Sequence, residues 1–182
     1  MRDWARRWEK DEVVCMSMRI IKLWATAKEL HSPMNNTLNS MGYMVMLLAV
    51  AGQEQEVLPQ NGHILPAVVD LLARFFSTYA ASLRPGVARA VIHAPHGDVV
   101  PAGSREAEIF RLSQNVVDTQ STGFGTTMFV QDPFLDDVNL ARFVDRRSIK
   151  RMTAAFQEAD KLLSSEAGSY SFQRLIAKRR AR

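Results

Sequence analysis

The stretch DEVVCMSMRIIKLWATAKELHSPMNNTLNSMGYMVMLLAVAG, residues 11–52, decides the fold. Its first part sets Val13, Val14, Met16, Ile20, Ile21, Leu23 and Trp24 at helical spacing, which makes a broad apolar face. The pattern predicts a helix over residues 11–30. It stops before His31-Ser32-Pro33, because proline pushes the residue ahead of it out of the helical region. A second helix is expected to begin near Thr37 or Asn39 and to end at Ala51, with Gly52 as its stop. Met44, Val45, Met46, Leu47, Leu48 and Val50 make this helix apolar almost all round, so it belongs at the centre of the domain.

Outward from this stretch, a third helix is expected over residues 66–83, ended by Arg84-Pro85-Gly86. Residues 88–93 and 98–100 flank Ala94-Pro95-His96-Gly97, whose turn chemistry predicts a short hairpin. Residues 114–125 are polar and predict a loop. Residues 126–130 predict a strand ended by Asp132-Pro133. Helical segments over residues 138–144, 148–165 and 171–180 close the chain. The expected fold class is mainly α with a small β element (α+β). One domain covers residues 1–170 and a basic helix or tail covers residues 171–182.

Composition agrees with a folded domain. The chain has 182 residues, 47% hydrophobic and 23% charged, which excludes wholesale disorder, collagen-like repeats and a disulfide scaffold. A chain of that length buries roughly 70% of its unfolded surface, enough for a core without staples. The single cysteine, Cys15, cannot form an internal disulfide, and its place on an apolar helix face predicts a buried, inert thiol. A bilayer span needs about 20 apolar residues. The apolar run over residues 44–51 is shorter, and no membrane partner is expected. Arg2, Arg6 and Arg7 are mixed with Asp3 and Glu9, and no apolar segment of a secretory signal follows. The expected location is intracellular, cytoplasmic or mitochondrial.

The net charge of +4 is uneven. Residues 174–182 hold Arg174, Lys178, Arg179, Arg180 and Arg182 and no acid, and without them 18 basic residues face 19 acidic ones. The body is neutral and the basic character is a tail. Such a tail either contacts nucleic acid or an anionic surface, or is a solvated helix end whose cations complement the dipole. His93 and His96 bracket Pro95 without a completing ligand, so a turn is expected there and no metal site. Gly123-Phe124-Gly125 is too short for a phosphate-binding fingerprint.

Ile21-Lys22-Leu23-Trp24-Ala25, His31-Ser32-Pro33 and Thr37-Leu38-Asn39-Ser40-Met41-Gly42-Tyr43 follow the order K-x-W-A, N-S-P, G-T-L-S-S-Y-G-Y. Asp132-Pro133-Phe134 with Asn139-Leu140-Ala141-Arg142 follows D-P-F … N-[VL]-[AG]-R. Leu58-Pro59-Gln60 and Arg74-Phe75-Phe76-Ser77-Thr78-Tyr79 stand between them, where L-P-x-[LQ] and F-F-x-x-Y would fall. In these landmarks the chain resembles the template-independent RNA nucleotidyltransferases, that is, the terminal uridylyltransferases and noncanonical poly(A) polymerases. The resemblance covers residues 11–163. It implies the helical central domain of that family, with its poly(A)-polymerase-associated portion.

It also implies a nucleotide site for UTP or ATP, formed by Lys22, Ser40, Met41 and Asp132. The family lays its triphosphate against the start of the second helix, where Ser40 would add a hydroxyl to the amides and dipole that favour an anion. Lys22 would reach the phosphates as a point charge; the alternative is a rim lysine with its stem on apolar surface. Asp132 would line the base pocket; the alternative is a turn aspartate before proline. Asn139 and Arg142 are expected to cap and brace the following helix, Arg142 by pairing with a carboxylate. Lys178, Arg179, Arg180 and Arg182 would add sequence-independent RNA phosphate contacts.

The departures from the family are specific. Met41 stands where the family stacks the base on tyrosine, and methionine lacks the aromatic face. Thr26 replaces a second phosphate lysine one turn after Lys22, and Lys28 lies about 200° round the helix from Thr26. Val138 stands where uridylyltransferases often carry a histidine that disfavours ATP. The family's palm domain supplies a D-x-D and a third carboxylate that hold two Mg²⁺ ions. No D-x-D occurs in this sequence, and Gly103-Ser104 with Glu106-Ala107-Glu108 lacks the context of one. Mg²⁺ is therefore expected only through a palm domain outside these residues, and the chain is expected not to add nucleotides alone. It is then either the C-terminal part of an RNA-tailing enzyme or a non-catalytic, RNA-contacting subunit. In either case a protein partner or palm would cover an open cleft face. An unrelated helical interaction module would require these landmarks to be coincidence.

Overall fold

A computed structural model describes residues 11–53, 64–83, 91–93, 98–100, 128–135, 138–165 and 171–176. Helix α1, Glu12–Ala27, starts where the Asp11 carboxylate accepts the Val14 amide at 3.0 Å. It ends earlier than the sequence pattern suggests. Glu29 takes a left-handed conformation (φ 57°), and the Leu30 amide folds back onto the Ala25 carbonyl at 2.7 Å. That Schellman-type closure, not Pro33, terminates the helix. A short 3-10 turn, Pro33–Asn35, follows, and Asn36 (φ 56°) reverses the chain out of it.

Helix α2, Ser40–Ala51, is capped by Asn39, whose side-chain oxygen accepts the Gly42 amide at 2.8 Å. It is buried on nearly every side, as its uniform apolarity requires. Helix α3, Ile64–Ser82, buries Val68, Leu71, Leu72, Phe75, Phe76 and Tyr79. Its length and composition would suffice to cross a membrane, which the shorter run at residues 44–51 did not suggest. Here that apolar character serves a core helix, packed on α1 and α2 and on α4, Arg146–Ser164. A short helix α5, Ser171–Ile176, lies against α1 and α4.

Strands β1, Val91–His93, and β2, Asp98–Val100, pair antiparallel with Ile92 opposite Val99. Strand β3, Phe129–Val130, adds parallel to β1, so the order is β2-β1-β3. This small sheet packs on α2. The fold is mainly α with a small β element. Residues 138–144 differ from expectation. They form turns rather than a helix, because Asn139 bonds back to β3, and the following helix begins only at Arg146, after its cap Asp145.

Aromatic side chains fill the centre. Phe156 of α4 sits 5.0 Å from Trp24, 5.6 Å from Phe75 and 5.8 Å from both Phe76 and Tyr79, centroid to centroid. Trp24 also meets Phe76 edge-on at 4.8 Å and Tyr43 at 6.2 Å. Such pairs contribute about 0.5–1.5 kcal/mol each beyond the area they bury. The phenols are anchored too: Tyr79 donates to the Met46 carbonyl at 2.8 Å and Tyr43 to the Leu30 carbonyl at 2.9 Å. Burial pushes both phenol pKa values up, so both remain donors. Cys15 is half-buried, not enclosed as expected, since its side of α1 is only partly covered.

Candidate functional site

Three chain segments meet at the first turn of α2. Tyr43, on the inner face of that helix, holds the Leu30 carbonyl, and this fixes the residue that follows, His31. The loop beyond is closed on itself. The Ser32 amide donates to Thr37 Oγ1 at 2.8 Å, and Thr37 Oγ1 donates to the Ser32 carbonyl at 2.9 Å. As a result His31 Nε2 lies 2.7 Å from Ser40 Oγ, the first residue of α2.

Lys22, exposed on α1, supplies the third member. Its charge acts on His31: burial first, and then the Lys22 ammonium, hold the imidazole pKa below its usual value. Both effects favour the neutral imidazole. Asn39 uses the Gly42 amide, while the Ser40 and Met41 amides, at the first two positions of α2, have no partner among the described residues. Two amides and a hydroxyl at the positive end of a helix, beside a histidine that feels the Lys22 charge, make a chemical setting for an anion. His31 was not among the sequence candidates, although it begins the His31-Ser32-Pro33 landmark.

Met41, next to Ser40, is half-buried against the core. Thr26 is one turn along α1 from Lys22, and its hydroxyl donates to the Lys22 carbonyl at 2.8 Å. Lys28 turns to α4, where its ammonium meets Glu158 at 3.1 Å.

Asp132 stands just past β3, which itself packs on α2. Its Oδ1 accepts the Phe134 amide at 2.8 Å and the Leu135 amide at 3.2 Å, and its own amide donates to the Val138 carbonyl. The carboxylate thus organises its own turn, and it makes no hydrogen bond to the Lys22–His31–Ser40 group. Asn139 is buried and ties the same region together. Its Oδ1 accepts the Val130 and Ala141 amides at 3.0 and 2.9 Å, and its Nδ2 donates to the Met128 carbonyl at 3.3 Å. It braces β3 rather than capping a helix, since no helix follows it directly. The Arg142 guanidinium lies over the Phe143 ring, 4.8 Å from its centroid. Lys178, Arg179, Arg180 and Arg182 lie outside the described residues, as do Leu58-Pro59-Gln60, His96, Gly103-Ser104 and Gly123-Phe124-Gly125.

Among the described residues no three His, Cys, Asp or Glu side chains gather as a metal site. These residues do not fit a two-Mg²⁺ centre. A groove of about 550 Å³, separate from the Ser40 turn, runs between the end of α2, α3 and the end of α4, past Gln53, Arg74, Ser77, Thr78 and Asp160.

No protein-family model matches the chain, and no curated protein matches it. Solved structures do. A cytoplasmic RNA terminal U-transferase superposes with a TM-score of 0.70 at 19% identity, over 98% of this chain and 60% of that one. The Cid1 poly(U) polymerase gives 0.68 at 20%, over 95% and 59%. Cid1 in complex with the UTP analogue UMPNPP gives 0.68 at 20%, over 95% and 60%. The chain thus spans about three-fifths of the length of the structures it matches, and over that length it has the fold of these RNA uridylyl-transferring proteins.

Proposed function

We propose that this chain is the nucleotide-recognising portion of an RNA 3′-end nucleotidyltransferase, of the terminal uridylyltransferase or poly(A) polymerase type. The observation that carries this reading is the 2.7 Å contact of His31 with Ser40 at the first turn of α2, within range of the Lys22 charge. In this reading the triphosphate of UTP or ATP lies at that helix start. Ser40 and the Ser40 and Met41 amides donate to phosphate oxygens, and Lys22 neutralises charge. Met41 and Asp132 face the base. Asn139 and Arg142 hold the surrounding turns.

The carboxylates that would hold Mg²⁺ are not among this chain's residues, since the sequence contains no D-x-D. A palm domain, or a partner protein in its place, would supply them across the cleft. RNA is the partner whose 3′ end would enter there. Residues 1–170 then act as the recognition domain, and the basic residues 178–182 as a phosphate-contacting tail.

A second reading is favoured by Thr26, whose hydroxyl is turned back onto its own helix, and by Met41 in the stacking position. Both weaken a nucleotide site, and they fit a non-catalytic descendant that serves as an RNA-contacting subunit.

Calorimetric titration of the chain with UTP and ATP separates the two. Saturable binding that Ser40→Ala and Lys22→Ala each weaken at least tenfold supports the nucleotide site. Absence of heat at millimolar nucleotide, with RNA still bound, supports the second reading.

A further inference from the structure

We propose that His31 is a positioning residue that couples phosphate binding at Ser40 to uptake of one proton. The inference rests on the nucleotide reading above and assigns it a regulation.

The geometry gives the reason. His31 Nε2 and Ser40 Oγ are 2.7 Å apart, so one of them donates to the other. In a neutral imidazole Nε2 can accept the serine proton, and the hydroxyl is then spent on the ring. In the imidazolium both ring nitrogens carry hydrogen, and Nε2 can only donate. Ser40 Oγ then accepts, and its own proton is released toward an anion at the α2 amides. One protonation thus turns a donor toward the phosphate and adds a positive charge beside it.

The groups facing the ring define the direction. Ser40 touches it from α2, and among the described residues Lys22 of α1 is the charged group whose field acts on it. The neighbouring loop residues Ser32 and Thr37 are uncharged and bonded to each other, and Asp145 is engaged by Asn36 and the Ser148 amide. With the site empty, burial and Lys22 favour the neutral ring. A bound triphosphate offsets the Lys22 charge and favours the imidazolium. Binding therefore raises the His31 pKa, takes up a proton and weakens as pH rises.

The test is calorimetry of the full chain with UTP between pH 6 and 8, for the native protein and for His31→Asn. Asparagine keeps a donor and matches the asparagine of the N-S-P pattern. Titration of the UTP phosphates is common to both proteins, so the difference between the profiles isolates His31. The expected result is a native affinity that falls more steeply with pH than that of His31→Asn, by at most about tenfold per pH unit for one proton. Buffers of different ionisation heat should show proton uptake in the native protein alone. Superimposed profiles in two proteins that both bind UTP would overturn the role of His31 and leave the nucleotide site standing. No UTP binding by either protein would overturn the site itself, and this proposal with it. If His31→Asn misfolds, NMR titration of the native imidazole decides: a pKa raised by UTP supports the coupling, and an unchanged one overturns it.

Discussion

The Tyr43 hydroxyl donates to the Leu30 carbonyl at 2.9 Å, and the next residue, His31, reaches Ser40 across one turn of the same helix that carries Tyr43. A core tyrosine thereby sets the spacing of the candidate site. Tyr43→Phe removes the donor and leaves a carbonyl of the closed α1 terminus without its partner. The expected cost is about 1–3 kcal/mol. Urea denaturation measures that loss, and UTP titration of the same variant should show weaker binding as the His31–Ser40 spacing loosens.

Asp145 links that loop to α4. Its carboxylate accepts the Ser148 amide and the Asn36 side chain, and the Ser148 backbone bond is the largest of the effects that lower its pKa. A lowered folded pKa means stability that is present above the unfolded value, about 3.9, and lost as pH falls through the folded value. Asp145→Ala should cost about 1 kcal/mol at pH 7, as helix caps do. The difference from the native protein should shrink as the pH is taken down through the acid range, a trend that chemical denaturation at stepped pH would follow.

Glu29 occupies a left-handed conformation that glycine takes without strain. Its carboxylate is exposed, and its ion pair with Arg151 is long, at 4.0 Å. Such a pair contributes little. Glu29→Gly should therefore stabilise the chain, by about 0.5–1 kcal/mol, through relief at the end of α1. A higher melting temperature in a thermal scan is the expected sign. A lower one would mean that the Arg151 contact outweighs the strain.

Met41 and Thr26 stand where the resembled family has an aromatic ring and a lysine. Base–aromatic stacking is worth about 1–3 kcal/mol. Met41→Tyr should tighten UTP binding by about tenfold if the base lies there. Thr26→Lys frees the Lys22 carbonyl from the Thr26 hydroxyl and adds a cation on an exposed face, so it should tighten triphosphate binding as well. Competition against a fluorescent nucleotide would rank both variants against the native chain.

Much of the fold was legible because its signals are local. Asn39 before an apolar run marked the start of α2, and the turn chemistry of Ala94-Pro95-His96-Gly97 marked the β1–β2 pair. The end of α1 was misplaced because Glu29 adopts a conformation that its side chain does not advertise. Residues 138–144 suggested a helix, but the spacing of their apolar residues serves turns held by Asn139, whose partners Val130 and Met128, in and just before β3, lie nine and eleven residues earlier. In the candidate site, Lys22 and Ser40 could be picked out by family pattern alone. His31 could not, because its partner became visible only when Tyr43 closed the loop. Asp132 was singled out for the same reason as Ser40, and its carboxylate proved to organise a turn.

In the proposed function the first turn of α2 receives a triphosphate. Amide chemical-shift mapping of the ¹⁵N-labelled chain with UTP tests it residue by residue. The Ser40 and Met41 amides are expected to move first and furthest, His31 to move with them, and Lys22→Ala to suppress the response. Shifts concentrated in the groove beside Arg74 and Asp160, or none at millimolar UTP, would contradict it.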